Sequence, residues 1–110
     1  MVFEMEQFVT PQKEDISISN ETGRQRYEIA VGGELAGFVD YRSQGGTLDL
    51  VHTEVLPQFE GRGLAGRLAQ FALEDARRQG LKVAPSCSYI AQYVERHPQH
   101  RTLLAGGPAR

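Results

Sequence analysis

The sequence predicts a single α/β domain in which a mixed, mainly antiparallel sheet packs against one long helix and one shorter helix. Three observations predict this fold class. Apolar and polar residues alternate between turn signals in the first half of the chain, which is typical of an antiparallel meander. A long segment in the second half has apolar residues at helical spacing. A short fifth strand, residues 81–84, is predicted between it and a second helical segment.

The strands of the first half are predicted by this alternation and by the glycines between them. Tyr27, Ile29 and Val31 alternate with smaller or charged residues, which is the pattern of a half-buried strand. Gly32-Gly33 supplies a two-residue hairpin turn, and Gly37 indicates a bulge in the strand that returns. The four predicted strands cover residues 16–18, 27–31, 35–42 and 47–55.

The longer helix is predicted from about Gly63 to Gln79. Pro57 ends the strand before it, because proline has no N–H to donate to a sheet. A second helix is predicted to begin near Ser88, a suitable N-cap residue, and to end before Pro98. The apolar stripe of the longer helix consists of Leu64, Leu68, Phe71 and Ala72.

The length of the chain limits its organisation. Its 110 residues suffice for one domain with one modest core. We expect residues 1–12 to form a flexible leader, residues 13–104 to form the domain and residues 105–110 to form a flexible tail.

Composition excludes several classes of protein. A formal net charge of −2 provides no basic field for nucleic acid. No apolar run approaches the roughly 20 residues of a membrane span, and the first residues lack a signal-peptide layout, so a cytoplasmic address is expected. The single cysteine, Cys87, excludes an internal disulfide framework and cannot by itself hold a zinc ion.

The segment that joins the fourth strand to the longer helix is rich in glycine. Glycines at positions 61, 63 and 66 let the backbone turn tightly and approach a ligand closely. The helix that follows presents unpaired N–H groups and the positive end of its dipole. Together these features predict a site for a phosphate or diphosphate group.

A dinucleotide-binding site is one alternative, because these glycines have the Gly-x-Gly-x-x-Gly spacing. In that motif the first glycine follows its strand directly, and an acidic residue ends the next strand. Here residues 56–60 intervene, and residues 84–87 after the next strand contain no acid. The lysine-containing P-loop is also excluded, because no Gly-Lys-Ser/Thr sequence occurs.

Residues 55–65, Val-x-Pro-x-Phe-x-Gly-x-Gly-Leu-Ala, resemble the pyrophosphate loop of the GNAT superfamily of acetyl-CoA-dependent N-acetyltransferases. The family signature is Gln/Arg-x-x-Gly-x-Gly/Ala, and this chain has Glu60 at the first position of that pattern. Cys-Ser-Tyr at residues 87–89, and Tyr93 followed by His-Pro at 97–98, resemble the small, single-domain YjdJ-like branch. The resemblance extends over roughly residues 16–104.

The resemblance implies a GNAT-like fold and acetyl transfer from acetyl-CoA to an amine that the sequence does not identify. It also implies that the fourth and fifth strands splay apart to admit the pantetheine arm. A bulge is expected near Val55, whose backbone would pair with that arm and polarise the thioester carbonyl. The residues expected to contact the cofactor are Val55, Gly61, Arg62, Gly63, Leu64, Ala65, Gly66, Ser88 and Tyr89.

Four residues are candidates for catalysis, and each has alternatives. Cys87 precedes a helix, where thiol pKa values fall. Three roles stay open for it: covalent acceptor of the acetyl group, pocket lining or inert core residue. The resemblance implies a tyrosine that protonates the leaving thiolate, with Tyr93 as the candidate and Tyr89 as its rival. His52 and Glu54 share one face of the fourth strand, and each either takes the amine proton through a water or is simply exposed.

No metal site is expected. His97 and His100 flank a helix-ending proline, where capping or a surface position is the expected role. Two other functions stay open, namely a non-catalytic sensor that binds acetyl-CoA or CoA and a small interaction module without a ligand. The sequence does not indicate the oligomeric state.

Overall fold

The computed structural model describes residues 15–106 and has a five-stranded sheet whose strands are arranged in the order of the sequence. Neighbouring strands are antiparallel except the last pair, which is parallel, so the predicted mixed, mainly antiparallel sheet is confirmed. The strands are β1 (Ile16–Glu21), β2 (Arg26–Val31), β3 (Glu34–Gln44), β4 (Thr47–Val55) and β5 (Lys82–Ala84). The helices are α1 (Leu64–Arg78) and α2 (Ser88–Arg96), with short 3₁₀ turns at Thr22–Arg24, Pro57–Phe59 and Pro98–Leu103.

Most of the predicted boundaries agree closely with the structure, but β1 and β3 are longer than predicted and one N-cap residue differs. The fourth strand has the predicted bounds, and Gly63 is the N-cap of α1. Ser88, predicted as the N-cap of the second helix, is instead its first helical residue, and Cys87 is the N-cap. The reason is that the Cys87 carbonyl already accepts the first helical hydrogen bond, from the Ala91 N–H at 3.0 Å. The predicted leader and residues 107–110 of the predicted tail lie outside the described residues.

The bulge predicted at Gly37 lies one residue earlier. Ile29 pairs with Gly37 and Ala30 pairs with Leu35, so Ala36 is the extra residue of β3. Gly37 has another role, because a Cβ atom there would lie 2.7 Å from the carbonyl oxygen of Glu54. The close approach of β3 and β4 at this point therefore needs a glycine.

A second bulge lies in β4, and it corrects the expectation of a bulge near Val55. Tyr41 pairs with Leu50 and Asp40 pairs with His52, so Val51 is the extra residue. Val55 is in regular register with Gly37. Pairing with β3 is thus unbroken at the end of β4, and the irregularity occurs four residues earlier.

The bulge at Val51 reverses which side chains face the helices. Before it, Leu48 and Leu50 are buried in the core. After it, Val55 packs against the core while His52 and Glu54 are exposed on the other face. An extra residue shifts the two-residue period of a strand by one position, which explains the change.

One core fills the space between the sheet and the two helices. It contains the inward residues of β2, the apolar stripe of α1 and the buried residues of α2. Leu64, Leu68 and Ala72 of the predicted stripe are fully buried, and Phe71 is partly buried. Between residues 15 and 106, no helix combines the length and the apolar character that a membrane crossing requires.

Candidate functional site

The glycine loop before α1 has a backbone shape that other residues rarely adopt. Gly61 and Gly63 have φ angles of 84° and 75°, in the left-handed region. The first helical hydrogen bond of α1 runs from the Arg67 N–H to the Gly63 carbonyl at 3.3 Å. The N–H groups of the preceding residues therefore have no acceptor within the helix and carry the positive end of its dipole. These amides, from residues 64–66, are available to an anion.

The departure from the family signature, Glu60, is exposed. Its neighbour Arg62 is also exposed, with its guanidinium carbon 5.4 Å from the centre of the Phe59 ring. Phe59 is buried and anchors the loop in the core. The loop is thus held by an apolar side chain, while the side chains of Glu60 and Arg62 are accessible to solvent.

A groove of about 380 Å³ lies beside this loop, between α1 and α2. Its walls include Gly63, Gly66 and Arg67 from the start of α1, and Tyr89, Tyr93 and Arg96 from α2. A Cβ atom on Gly66 would lie 3.7 Å from the Tyr89 hydroxyl oxygen and 3.9 Å from Cε2 of Tyr93. The two tyrosines therefore face the first turn of α1 across the groove.

Tyr93 is held in place by its neighbours on α2 and beyond. Its ring stacks on His97 with 3.9 Å between ring centres. The His97 ring nitrogen Nδ1 lies 2.8 Å from the Tyr93 carbonyl oxygen, and since a carbonyl can only accept, Nδ1 carries the proton. Burial raises the pKa of Tyr93, and Tyr89 and Glu74 raise it further. The Tyr93 phenol is therefore protonated at neutral pH and can donate a proton.

The strands β4 and β5 part beyond residue 50 of β4. Their pairing covers only residues 47–49 of β4. It is extended by one hydrogen bond, in which the Cys87 N–H donates to the Leu50 carbonyl at 2.8 Å. Among the described residues, none pairs with residues 51–55 of β4 on this side. This edge of β4 therefore leaves backbone groups available to an extended ligand.

The thiol of Cys87 is buried at the point where the strands part. Its Sγ atom donates to the Thr53 hydroxyl oxygen at 3.3 Å. Cys87 and Ser88 are not part of the groove wall, and Ser88 is exposed. The structure therefore brings Tyr89 and Tyr93 to the groove, but it places the Cys87 thiol outside the groove wall, against Thr53 of β4.

His52 and Glu54 form a pair on the open face of the sheet. His52 Nε2 lies 3.1 Å from Glu54 Oε1, and both side chains are about half exposed. The Phe38 ring lies beside His52, with 6.1 Å between ring centres. Because of the bulge at Val51, this pair lies on the face opposite the buried side of β4, where Cys87 contacts Thr53.

The structure also brings residues to the groove that the sequence analysis did not single out. Arg67 and Gln70 project from α1, and Gln92 and Arg96 project from α2. The signal was present as helical spacing, since each pair is three or four residues apart and shares a helix face with a predicted residue. Within residues 15–106, no group of three or more His, Cys, Asp or Glu side chains could hold a metal ion.

Comparisons with known proteins agree with this geometry. A family model described as GCN5-related N-acetyl-transferase matches residues 26–103. The chain is 43% identical over 85 residues to Protein NATD1 of Gallus gallus, and equally to that of Mus musculus; each match covers 76% of this chain and 77% of the relative. It is 44% identical over 52 residues to Protein NATD1 of Xenopus tropicalis, a match that spans about half of that relative, 48%.

Two solved structures have a similar fold. A GCN5-like protein of Staphylococcus aureus, solved by NMR, matches with a TM-score of 0.65 and 19% identity, covering 90% of this chain and 93% of that protein. The ribosomal-protein-alanine N-acetyltransferase of Brucella melitensis biovar Abortus 2308 matches with a TM-score of 0.55 and 18% identity, covering 66% of this chain and 61% of that enzyme. At these identities the similarity shows the shared fold.

Proposed function

This chain belongs to the GCN5-related N-acetyltransferase family, and on that premise we propose that it transfers the acetyl group of acetyl-CoA to an amine. One observation carries the proposal: the glycine loop opens α1 directly beside a groove. Family membership supports the donor, and the acceptor amine is part of the proposal. The Cys-Ser-Tyr and His-Pro sequences support a further assignment to the small YjdJ-like branch.

The residues of the loop fit a diphosphate. The left-handed glycines turn the chain into α1, and the first amides of this helix have no acceptor within it. A diphosphate accepts hydrogen bonds from such amides and is stabilised by the helix dipole. Glu60 is exposed, so its carboxylate does not have to lie among those amides.

The open edge of β4 is suited to the rest of the donor. Bound acetyl-CoA supplies a thioester carbonyl that an amine can attack. In our proposal the free backbone groups of residues 51–55 align the pantetheine arm, and the Val55 backbone polarises the carbonyl. The parting of β4 and β5 at Leu50 leaves the space for this alignment.

Two proton movements complete the proposal. Tyr93 donates its proton to the leaving sulfur, and its phenol carries that proton at neutral pH because burial raises a pKa that already lies near 10. The His52–Glu54 pair accepts the proton of the amine through a water on the open face of the sheet. The two groups thus act from opposite faces of the sheet, one on the donor side and one on the acceptor side.

We further propose direct transfer, with Cys87 lining the site. A nucleophilic cysteine needs a neighbouring base or cation that favours its thiolate. Among the described residues, the side-chain hydrogen-bond partner of the Cys87 thiol is the Thr53 hydroxyl, which is not a base at neutral pH. In this contact the thiol is the hydrogen-bond donor.

Calorimetry with acetyl-CoA and an assay for released CoA thiol test the proposal. We expect the unaltered chain to bind acetyl-CoA and to release thiol with amine acceptors, tested as a panel of polyamines and of peptides with free N-termini or lysines. Tyr93→Phe should lower kcat by about 10²-fold or more while leaving binding intact, because general acid catalysis contributes about 10²–10⁴-fold. Tyr89→Phe is the matched control and should retain turnover.

Other outcomes would contradict parts of the proposal. Failure to bind acetyl-CoA would contradict the donor assignment and favour an interaction module. Binding without thiol release, with or without Tyr93, would favour a sensor. Cys87→Ala should retain turnover, and an acetylated Cys87 seen by mass spectrometry during turnover would contradict direct transfer.

A further inference from the structure

Two arginines on the groove walls have no carboxylate partner in the described part of the chain. Elsewhere in residues 15–106, arginines such as Arg26 and Arg78 form ion pairs with acidic side chains. Arg67 of α1 and Arg96 of α2 form none, and both line the same groove. No Asp or Glu lines that groove, and Glu74, which lines a neighbouring pocket with Arg67, pairs instead with Arg77 and His100.

The position of Arg67 makes this charge informative. It lies one turn into α1, near the positive end of the helix dipole, where a cation is unfavourable. Natural chains place residues against such local preferences mainly where function needs them. An anion bound in the groove would offset this unfavourable contribution, because it would attract both the Arg67 guanidinium and the positive end of the helix dipole.

The chemistry of two guanidinium groups indicates which anion. Guanidinium forms bidentate hydrogen bonds with phosphate oxygens, and it remains charged at any physiological pH. The diphosphate of coenzyme A is assigned above to the amides at the start of α1. Coenzyme A carries one further phosphate, a monoester on the 3′ position of its ribose. Gln70 and Gln92 add uncharged hydrogen-bonding groups beside the arginines.

We propose that Arg67 and Arg96 bind the 3′-phosphate of coenzyme A from the two walls of the groove, which makes the donor site selective for the 3′-phosphorylated coenzyme. This inference rests on the proposed function, since it needs the coenzyme in the groove. It adds a specificity-determining pair on the groove walls, separate from the loop that holds the diphosphate. The pair does no chemistry and contributes to binding of the donor.

The test compares two donors, acetyl-CoA and acetyl-3′-dephospho-CoA, by calorimetry at one fixed ionic strength. The unaltered chain should bind acetyl-CoA about tenfold or more tightly than the dephospho donor, because two charge-assisted contacts are lost with the phosphate. Arg67→Gln and Arg96→Gln should each weaken acetyl-CoA binding by about three- to tenfold. Each should change binding of the dephospho donor by less than about twofold.

The matched control is Arg42→Gln. Arg42 is exposed on β3, does not line the groove and has no ion-pair partner among residues 15–106, so the change in net charge is the same. It should leave the preference between the two donors unaltered. Thermal unfolding of all variants should give midpoints close to that of the unaltered chain, since the substituted side chains are exposed.

The outcomes separate this inference from the proposed function. Equal affinity of the unaltered chain for the two donors, with acetyl transfer from both, would overturn the arginine assignment and leave the transferase standing. Equal losses for both donors in the variants would also overturn it, because the arginines would then act on a shared part of the coenzyme. If the chain bound neither donor, both this inference and the proposed acetyltransferase function would be overturned.

Discussion

Substituting Gly66 by alanine should make the protein more stable and bind acetyl-CoA less well. Gly66 is the third residue of α1, where alanine is a better helix former than glycine by about 0.5–1 kcal/mol. The added Cβ would meet the Tyr89 hydroxyl at 3.7 Å and Tyr93 at 3.9 Å, which are ordinary contact distances. No repacking cost offsets the gain in helix propensity. A stabilisation of about 0.5 kcal/mol should raise the midpoint of thermal unfolding by about 2–4 °C.

Binding should change in the opposite direction. The added methyl group would lie on the groove wall facing Tyr89, next to the amides that we assign to the diphosphate. Loss of one hydrogen bond to a charged group costs about 1.5–3 kcal/mol. That loss corresponds to a dissociation constant for acetyl-CoA that is larger by roughly 10- to 150-fold. Thermal unfolding and calorimetry on the same preparation measure the two effects together.

Two matched glycine substitutions distinguish the explanations. Gly23→Ala has nothing within 4 Å of its added Cβ, and Gly23 does not line the groove, so this substitution should leave binding unchanged. Gly63→Ala has a φ of 75° and should lose about 1–2 kcal/mol of stability together with binding. A Gly66→Ala protein that is less stable than the parent would refute the reasoning on contacts, and one that binds acetyl-CoA normally would refute the assignment of the loop.

Three further predictions concern stability. Burial and the hydrogen bond to Asp75 raise the pKa of Tyr27, so the stability that its protonated phenol contributes is complete below pH 10 and is lost above it at about 1.4 kcal/mol per pH unit. Urea unfolding of Tyr27→Phe should show only part of this slope, and equal slopes in the variant and the unaltered chain would contradict the prediction. Burial lowers the pKa of His100, so the imidazole binds a proton more tightly in the unfolded chain, and the free energy of unfolding should fall as the pH drops below 6.5. In the same urea assay His100→Gln should lose less stability in acid, and an equal loss in both proteins would contradict the prediction. Gly37→Ala places a Cβ 2.7 Å from the Glu54 carbonyl and should cost about 1–3 kcal/mol in urea unfolding, whereas a neutral result would show that β3 and β4 can separate there.

The sequence predicts the elements of this fold well because each has a local cause. Alternation sets the bounds of β4, and the periodic stripe together with the glycine loop sets α1 to within a residue or two. The position of the bulge in β4 has no such cause, because the extra residue, Val51, is an ordinary strand former. Its location depends on how β3 and β4 fit together across the whole sheet.

The candidate site shows the same division. The glycines of the loop were predictable, since φ angles of 84° and 75° at Gly61 and Gly63 need glycine. The facing of α1 and α2, which brings Arg67 and Arg96 to one groove, is a tertiary fact. Helical spacing indicates which residues share a face, but it does not indicate which element that face meets.

The bulge at Val51 connects the fold to the proposed reaction. If Val51 instead paired in regular register, the two-residue period of β4 would continue from Leu48 and Leu50 and would bury His52 and Glu54 against the helices. Two polar side chains would then face the core that Val55 packs against, and the His52–Glu54 pair that we propose as the proton acceptor would be absent from the open face. The bulge therefore satisfies two requirements at once: it keeps the core apolar, and it places the proposed proton acceptor on the face of the sheet opposite the helices that form the proposed donor groove.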